Sequence, residues 1–460
     1  MNNIQQQASA RLSKKTRAFI YQTTYRWHFY AGLLVIPFLL MLSVTGTVML
    51  YDEQIQDFRY GGVLHISGQG ELLSPSAQLA IIKKHYKDAK VSKYIPAKSA
   101  QRASFVVIET AHKTLHIAIN PYTGELLQEI DRDDSWYALA NDIHGSLLLG
   151  DWGDRLIEAA TGLIVLLILT GMLLWAAPHR ATKLVWYPRR GQGKRVFYRE
   201  LHSALGLYSL FFLLFFTLSG LSWSGVWGSK IVQAWSSFPT EKSAKNVKLS
   251  TESHAMLNQG VMEEMPWNLE QSKMPLSHTP ENHPKLGIDA VTTIAKALNM
   301  PRYQLSMPAS KEGVYTLSAN TMSGDITDPR RDRTVHIDQY SGAVLVDIGW
   351  DDYSLLAKAM AAGVALHQGN ASWVNLAINT LLCLVFMVIS LTAIAMWWQR
   401  RPSNDWSLNA PQKHPHNQYW YLGVGTLVVI GVLFPLTGVV IFSFALIDAV
   451  AAVKRALSER

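Results

Sequence analysis

The chain has 460 residues, of which 49% are hydrophobic, and it carries a formal net charge of +8 and one cysteine, Cys383. Five uncharged or nearly uncharged stretches reach the roughly 20 residues that a helix needs to cross a bilayer, which excludes an ordinary soluble protein. The single cysteine excludes a disulfide within the chain, and the sequence has no Cys-x-x-Cys-His motif to attach haem covalently.

The apolar stretches divide the chain into spans, short loops and two long polar segments. The first stretch is longer than the apolar part of a signal peptide and has no cleavage pattern after it, so we expect an uncleaved anchor. In chain order we predict a basic cytoplasmic tail (1–27), TM1 (28–51), a first outer module (52–150), TM2 (151–177), a loop (178–200), TM3 (201–229), a second outer module (230–365) with an insertion (236–284), TM4 (366–398), a loop (399–417), TM5 (418–447) and a C-terminal tail (448–460).

The basic residues indicate how the chain is oriented in the membrane. Lys and Arg are concentrated in the N-terminal tail and in the loops 178–200 and 399–417, and short loops rich in these residues stay in the cytoplasm. We therefore expect a cytoplasmic N-terminus and outer modules on the opposite side. Lys454 and Arg455 argue against an outer C-terminus, so the direction of TM5 stays open. Because these loops explain the positive charge, no nucleic-acid partner is expected.

Each outer segment has the pattern of a small α+β module. In the first, a helical pattern begins at Pro75 with Ser74 as its N-cap, and strand-like runs follow at 104–109 and 114–119. The stretch Asn120-Pro-Tyr-Thr-Gly predicts a tight turn into another strand. The second segment repeats this order. We expect each module to place a helix over its own antiparallel sheet.

One histidine-containing stretch occurs twice, at the start of TM1 and at the start of TM3. In both copies a glycine follows the histidine after four residues, and a second glycine, preceded by Ser or Thr, follows after eighteen. Apolar composition alone would seldom reproduce this spacing twice, so we interpret the copies as one repeated unit. The matching residues are His28, Gly32 and Gly46 in the first copy and His202, Gly206 and Gly220 in the second. An arginine precedes each histidine, Arg26 by two residues and Arg199 by three.

A second histidine lies near the start of the returning span of each half, His144 before TM2 and His367 at the first residues of TM4. Parallel repeats are related most simply by a pseudo-twofold axis along the membrane normal. Such an axis would place His28 opposite His202 near the cytoplasmic face, and His144 opposite His367 near the outer face. Because two facing imidazoles can supply both axial ligands of a haem iron, the pattern predicts two haem sites.

Residues beside the histidines fit the same interpretation. Gly32 and Gly206 lie one helical turn after their histidines, where a missing side chain leaves room for a porphyrin. Arg26 and Arg199 could pair with haem propionates. Each type also has an ordinary explanation: histidines at span ends anchor helices at the interface, glycines allow close helix packing, and arginines set topology.

These features together resemble the PepSY-associated transmembrane-helix family of iron-regulated bacterial inner-membrane proteins, which includes ferric-siderophore reductases. The resemblance implies b-type haem in the membrane part and reduction of ferric chelates at the periplasmic face. The second module departs from the family pattern, because Gln339-Tyr-Ser-Gly-Ala lacks the proline and the acidic residue. The resemblance covers nearly the whole chain and rests on Arg26-Trp27-His28, the turn from Asn120 to Gly124, Ile143-His144-Gly145, Leu201-His202 and Leu366-His367.

The sequence thus leads to one expected function and two rivals. We expect a multi-pass oxidoreductase of the bacterial inner membrane that passes electrons through two haems to a ferric siderophore and releases Fe(II) during iron uptake. No Gly-x-Gly-x-x-Gly or P-loop motif occurs, so a separate cytoplasmic or quinol donor must supply the electrons. The rivals are a non-redox PepSY-type sensor or inhibitor, and a siderophore transporter, which would need intramembrane charges that the spans almost entirely lack.

Overall fold

A computed structural model describes residues 2–176, 185–228, 247–254, 257, 269, 272–278, 284–401, 410–411 and 420–458. These residues form two compact units. Unit 1 comprises the described parts of Met1–Thr47, Asn141–Lys230 and Thr380–Arg460, and unit 2 comprises those of Val48–Ala140 and Ile231–Asn379. Much of the insertion expected at 236–284, and parts of both predicted cytoplasmic loops, lie outside the described residues.

The described helices and strands follow the order of the two predicted halves, with a long helix at the start and end of each. In chain order they are α1 (Asn2–Leu50), α2 (Asp52–Arg59), α3 (Pro75–His85), β1 (Lys90–Ile95), β2 (Ser104–Glu109), β3 (Thr114–Ile119), β4 (Leu126–Asp131), α4 (Trp136–Ser146), α5 (Asp151–Ala176), α6 (Lys194–Leu221), β5 (Leu249–Ser253), β6 (Lys273–Pro275), α7 (Ile288–Ala297), β7 (Gln304–Ser306), β8 (Val314–Ala319), β9 (Arg333–Asp338), β10 (Val344–Gly349), α8 (Leu355–His367), α9 (Trp373–Arg400), α10 (Trp420–Leu433) and α11 (Pro435–Ser458).

Within the described residues, four helices are long and apolar enough to cross a membrane: the part of α1 from Ala18 to Leu50, and the whole of α5, α6 and α9. The tail expected before TM1 is helical and continuous with it, because residues 2–31 contain neither glycine nor proline. In unit 1, Val35 of α1 packs in one cluster with Ile164 of α5 and Leu221 of α6.

The single helix expected for TM5 is wrong, because two shorter helices replace it. Pro435 begins α11, since proline has no backbone N–H and cannot continue α10 without loss of a hydrogen bond. The chain bends sharply here: a Cβ atom built on Gly438 would lie 2.8 Å from the Gly431 Cα atom, whereas seven residues of straight helix rise about 10 Å. The 14 residues of α10 span only about 21 Å, less than the hydrocarbon thickness.

The two predicted outer modules share one antiparallel sheet in unit 2, with strand order β10-β9-β8-β7-β1-β2-β3-β4. The expectation of a separate sheet in each module is therefore wrong. The sheets join where Lys93 of β1 lies opposite Ser306 of β7 and Tyr94 lies opposite Leu305. This pairing satisfies the backbone groups that two edge strands would otherwise expose. The sequence patterns did not identify β1 and β7, and β7 has only three residues.

Helices α3 and α7 contribute to the main hydrophobic core of this sheet. Ile82 of α3 and Val291 of α7 lie in one buried cluster with Leu317 of β8. The predicted N-cap of α3 is confirmed, because the Ser74 hydroxyl accepts a hydrogen bond from the Ala77 backbone N–H at 3.2 Å.

Both halves of the sheet make the same turn although their sequences differ. The Asn120 side chain accepts a hydrogen bond from the backbone N–H two residues later at 3.0 Å, and the Asp338 side chain does the same at 2.9 Å. Gly124 and Gly342 have φ angles of 77° and 74°, which favour glycine because it has no Cβ atom. Asp338 therefore replaces Asn120 as the acceptor, and the missing proline leaves the turn unchanged.

Two buried histidines connect the segment after β5 to the large sheet in unit 2. The Nε2 atoms of His254 and His336 lie 2.8 Å apart. Nδ1 of His254 donates to the Ser272 carbonyl at 2.7 Å, and Nδ1 of His336 is 3.0 Å from the Thr316 hydroxyl. Because a carbonyl only accepts, neutral His254 carries its proton on Nδ1, and His336 donates through Nε2. Burial lowers the pKa of both histidines.

We expect unit 2 to lose stability as the pH falls. The unfolded chain takes up protons on these histidines below about pH 6.5, while the folded pair resists protonation, so each proton costs up to about 1.4 kcal/mol per pH unit in the free energy of unfolding. Thermal unfolding of the purified full chain between pH 8 and pH 5 measures this loss. The H254Q/H336Q variant should show a flatter profile than a variant of the exposed His85, H85Q, and equal slopes would contradict this assignment.

Candidate cofactor site

The two histidines of the repeated stretch face each other in unit 1. His28 lies on α1 and His202 on α6, with their ring centroids 6.2 Å apart and their planes at 90°. Two imidazoles that bind one metal ion through nitrogens about 2 Å away have ring centroids roughly 6 Å apart. The structure therefore brings this predicted pair together at a separation that suits two axial ligands of one iron.

The hydrogen bonds of both rings fix which nitrogen is available. His28 Nδ1 lies 3.0 Å from the Thr170 hydroxyl, which itself donates to the Leu166 carbonyl at 2.6 Å. His202 Nδ1 donates to the Ile389 carbonyl at 3.0 Å. Both Nδ1 atoms thus carry the proton, and both Nε2 atoms carry a lone pair. This arrangement is typical of metal-binding histidines, whose second nitrogen is held by a protein acceptor.

Glycines next to the pair differ in what surrounds them. A Cβ atom built on Gly206 would meet no atom within 4 Å, so this position is open as a porphyrin would require. A Cβ atom on Gly32 would lie 3.8 Å from the Leu167 side chain, an ordinary contact distance, so α5 lies beside this position. Gly171 of α5 was not predicted, and its Cβ atom would lie 3.4 Å from His28 Cε1. Its only sequence signal is the Thr-Gly step with Thr170.

The predicted propionate partners are bound to protein groups. Arg26 donates to the Pro411 carbonyl, and its guanidinium lies 5.3 Å from the centre of the Tyr30 ring. Arg199 lies 3.6 Å from the Glu200 carboxylate, which also accepts from Arg189 Nε at 3.0 Å. The contacts in unit 1 therefore favour the structural explanation of Arg26 and Arg199.

His144, near the end of α4, contacts the first copy of the repeated stretch within unit 1. Its Nδ1 atom lies 2.8 Å from the Thr45 hydroxyl, which donates to the Met41 carbonyl at 2.8 Å. A Cβ atom on Gly46 would lie 3.7 Å from His144 Cε1. Burial lowers the pKa of His144 to about 4, so the imidazole is neutral at pH 7, the form that binds metals.

His367 ends α8 and belongs to unit 2. Its carbonyl accepts from Asn379 Nδ2 at 3.0 Å, and the neighbouring Leu366 carbonyl accepts from the same nitrogen at 2.8 Å. Asn379 thus closes the turn that follows His367, a role that the sequence analysis missed. His144 and His367 lie in different units, so their pairing stays a prediction.

A buried carboxylate near the start of α5 was also missed. The Glu158 side chain is 4% exposed and accepts from the backbone N–H groups of Val226 at 3.0 Å and Trp227 at 3.2 Å. Asp154, one turn earlier, accepts from Gly225 at 2.9 Å. These carboxylates stabilise the turn after α6, which explains why a span tolerates them.

The residues of unit 1 fit a haem at the His28–His202 pair: two opposed neutral imidazoles, tethered Nδ1 atoms and an open glycine. Among the described residues, no three His, Cys, Asp or Glu side chains converge as ligands of a metal ion held by protein alone. A family model described as the PepSY-associated TM region matches residues 25–400 of the chain. No curated protein matches the chain.

Proposed function

Because the chain belongs to the PepSY-associated transmembrane-region family, we propose that it is an oxidoreductase of the bacterial inner membrane that uses two b-type haems to reduce a ferric siderophore at the periplasmic face. The family and the four apolar helices make it a membrane protein. The facing pair of His28 and His202 is the observation that supports redox function most directly, since an interfacial anchor needs no opposed partner.

The chain's own residues would hold the cofactor in a fixed orientation. His28 and His202 present Nε2 lone pairs, while Thr170 and Ile389 hold the opposite nitrogens. A bound b-type haem supplies one-electron transfer. His144, held by Thr45, would contribute a ligand to the second haem together with His367.

The proposed reaction adds one electron to chelated Fe(III) and gives Fe(II). The electron comes from a separate donor, either a cytoplasmic reductant or a membrane quinol. Hard oxygen ligands hold the less charged Fe(II) more weakly, so the metal can leave the chelate. The transporter rival loses support, because Asp154 and Glu158, two acidic residues of a span, accept hydrogen bonds from backbone N–H groups.

An oxidised-minus-reduced optical spectrum of the purified protein from haem-replete cells tests the cofactor proposal. We expect the sharp α and β bands of six-coordinate b-type haem, with about two haems per chain. A colourless preparation would contradict the proposal. The sensor rival makes the opposite prediction for function in cells, since a variant with all four histidines changed to alanine should then keep full activity.

A further inference from the structure

Unit 2 contains a cleft of about 500 Å³ that the proposed electron path does not use. It lies between the segment Asn299–Arg302 and two short 3₁₀ turns, Pro329–Arg331 and Trp350–Asp352. Its volume is within the range of roughly 300 to 1,000 Å³ that is usual for small-molecule sites. The cleft can therefore hold a compact ligand.

Two of the four arginines that line the cleft are neutralised by protein carboxylates. Arg333 makes two hydrogen bonds to Asp347, at 2.9 and 2.7 Å. Arg330 binds Asp328 in the same two-pronged way, at 2.9 and 2.8 Å. Arg330, Arg333 and Asp347 form part of the wall, and the charges of both pairs are largely cancelled.

The other two arginines, Arg302 and Arg331, are exposed and make no ion pair with any residue that the structure describes. Arg331 is close enough to Asp328 to lower the pKa of that carboxyl, but Arg330 already occupies the Asp328 oxygens. The cleft thus has two guanidinium groups available to an anionic ligand, and guanidinium suits oxygen anions because it presents parallel N–H donors.

The carboxylates that line the cleft repel an anionic ligand less strongly than their number suggests. Asp332 is 4% exposed, and burial raises its pKa to about 7, so it carries a proton for much of the time near neutral pH. Asp352 accepts from the Gly349 backbone N–H at 2.9 Å. Asp351, at the exposed rim, and Asp352 are the two other carboxylates of the lining.

An aromatic face completes the lining. The Trp350 indole is half-buried at the cleft, and Lys358 Nζ lies 5.9 Å from the centre of the ring. Tryptophan and arginine both stack on flat aromatic rings. A ligand that is anionic, oxygen-rich and aromatic would use every available feature of the lining.

We propose that this cleft binds the ferric chelate itself, and that the chelate is an anionic complex with aromatic oxygen donors, such as a catecholate. The guanidinium groups of Arg302 and Arg331 contact its negatively charged oxygens, and Trp350 stacks on a ring. This inference rests on the proposed reductase function, but the binding step can be measured without any reduction.

Equilibrium dialysis of the full-length protein in detergent, with the Ga(III) complex of a tris-catecholate as probe, tests the site because Ga(III) is not reduced. We expect the R302Q/R331Q variant to bind at least roughly tenfold more weakly, since each charge-assisted contact is lost. The R302E/R331E variant should show no binding. The K83Q/K84Q variant removes the same charge from exposed lysines of α3 and should bind like the unchanged protein.

Equal affinity of R302Q/R331Q and the unchanged protein would overturn the site. Tighter binding of an uncharged Ga(III) tris-hydroxamate than of the tris-catecholate would overturn the ligand class. A haem spectrum of each sample separates this inference from the reductase proposal: haem-free protein that still binds the tris-catecholate through Arg302 and Arg331 would contradict only the reductase.

Discussion

Replacement of His202 by alanine is expected to lower the haem content from about two to about one per chain, because one axial ligand of the inner haem is lost. His28→Ala should have the same effect, since its ring faces His202 at 6.2 Å. If both histidines bind one iron, the double variant H28A/H202A should lose no more haem than either single variant. Such non-additivity is characteristic of groups that act as a unit.

Pyridine haemochrome analysis of the purified variants gives the haem content per chain. His144→Ala combined with His202→Ala should leave no haem, because these residues are assigned to different sites. An exposed histidine of unit 2, His85, provides the control, and H85A should keep both haems. Loss of both haems in H28A/H202A, with one retained in each single variant, would show that His28 and His202 serve different irons.

Replacement of Gly153 by alanine is expected to disrupt the connection that positions His144. A Cβ atom at Gly153 would lie 1.6 Å from the Ser146 carbonyl oxygen, and a backbone atom cannot move aside as a side chain can. The turn already contains two strained residues, Leu147 and Leu148, with φ angles of 53° and 59°. We expect the G153A variant to lose roughly 3 kcal/mol or more in its free energy of unfolding, which is the range of severe overpacking.

Gly145→Ala is the matched control, because it lies in α4 beside His144 and its Cβ atom would meet nothing within 4 Å. Replacement of a helical glycine by alanine should raise the free energy of unfolding by up to about 1 kcal/mol. The midpoint temperature of thermal unfolding in detergent should therefore be lower for G153A than for the unchanged protein. For G145A it should be unchanged or slightly higher. Unchanged unfolding of G153A would mean that the α4–α5 turn is not packed as described.

Much of the inner histidine pair could be predicted from the sequence. His28 and His202 share the same spacing to glycines, and a shared spacing places both histidines at the same position of their helices. Their supporting residues were not predictable in this way. Thr170 and Ile389 come from α5 and α9, and only helix packing decides which side chain or carbonyl meets an imidazole.

The roles of the glycines and arginines show the same limit. Gly32 and Gly206 have the same spacing from their histidines, yet a Cβ atom at Gly206 would meet nothing within 4 Å, whereas one at Gly32 would touch Leu167. Arg26 lies next to a histidine motif, yet it donates to the Pro411 carbonyl. Long side chains reach partners far along the chain, so neighbourhood in sequence does not identify their contacts.

By itself the sequence determined the class of protein, the repeated order of its elements, the capped helix α3 and the turn at Asn120, because local hydrophobic period, capping and turn chemistry act over a few residues. Only the tertiary structure decided that the two modules share one sheet through β1 and β7, that the last apolar segment bends at Pro435, and that Arg302 and Arg331 line one cleft. Such features depend on edges, crossings and side-chain reach between segments far apart in the chain.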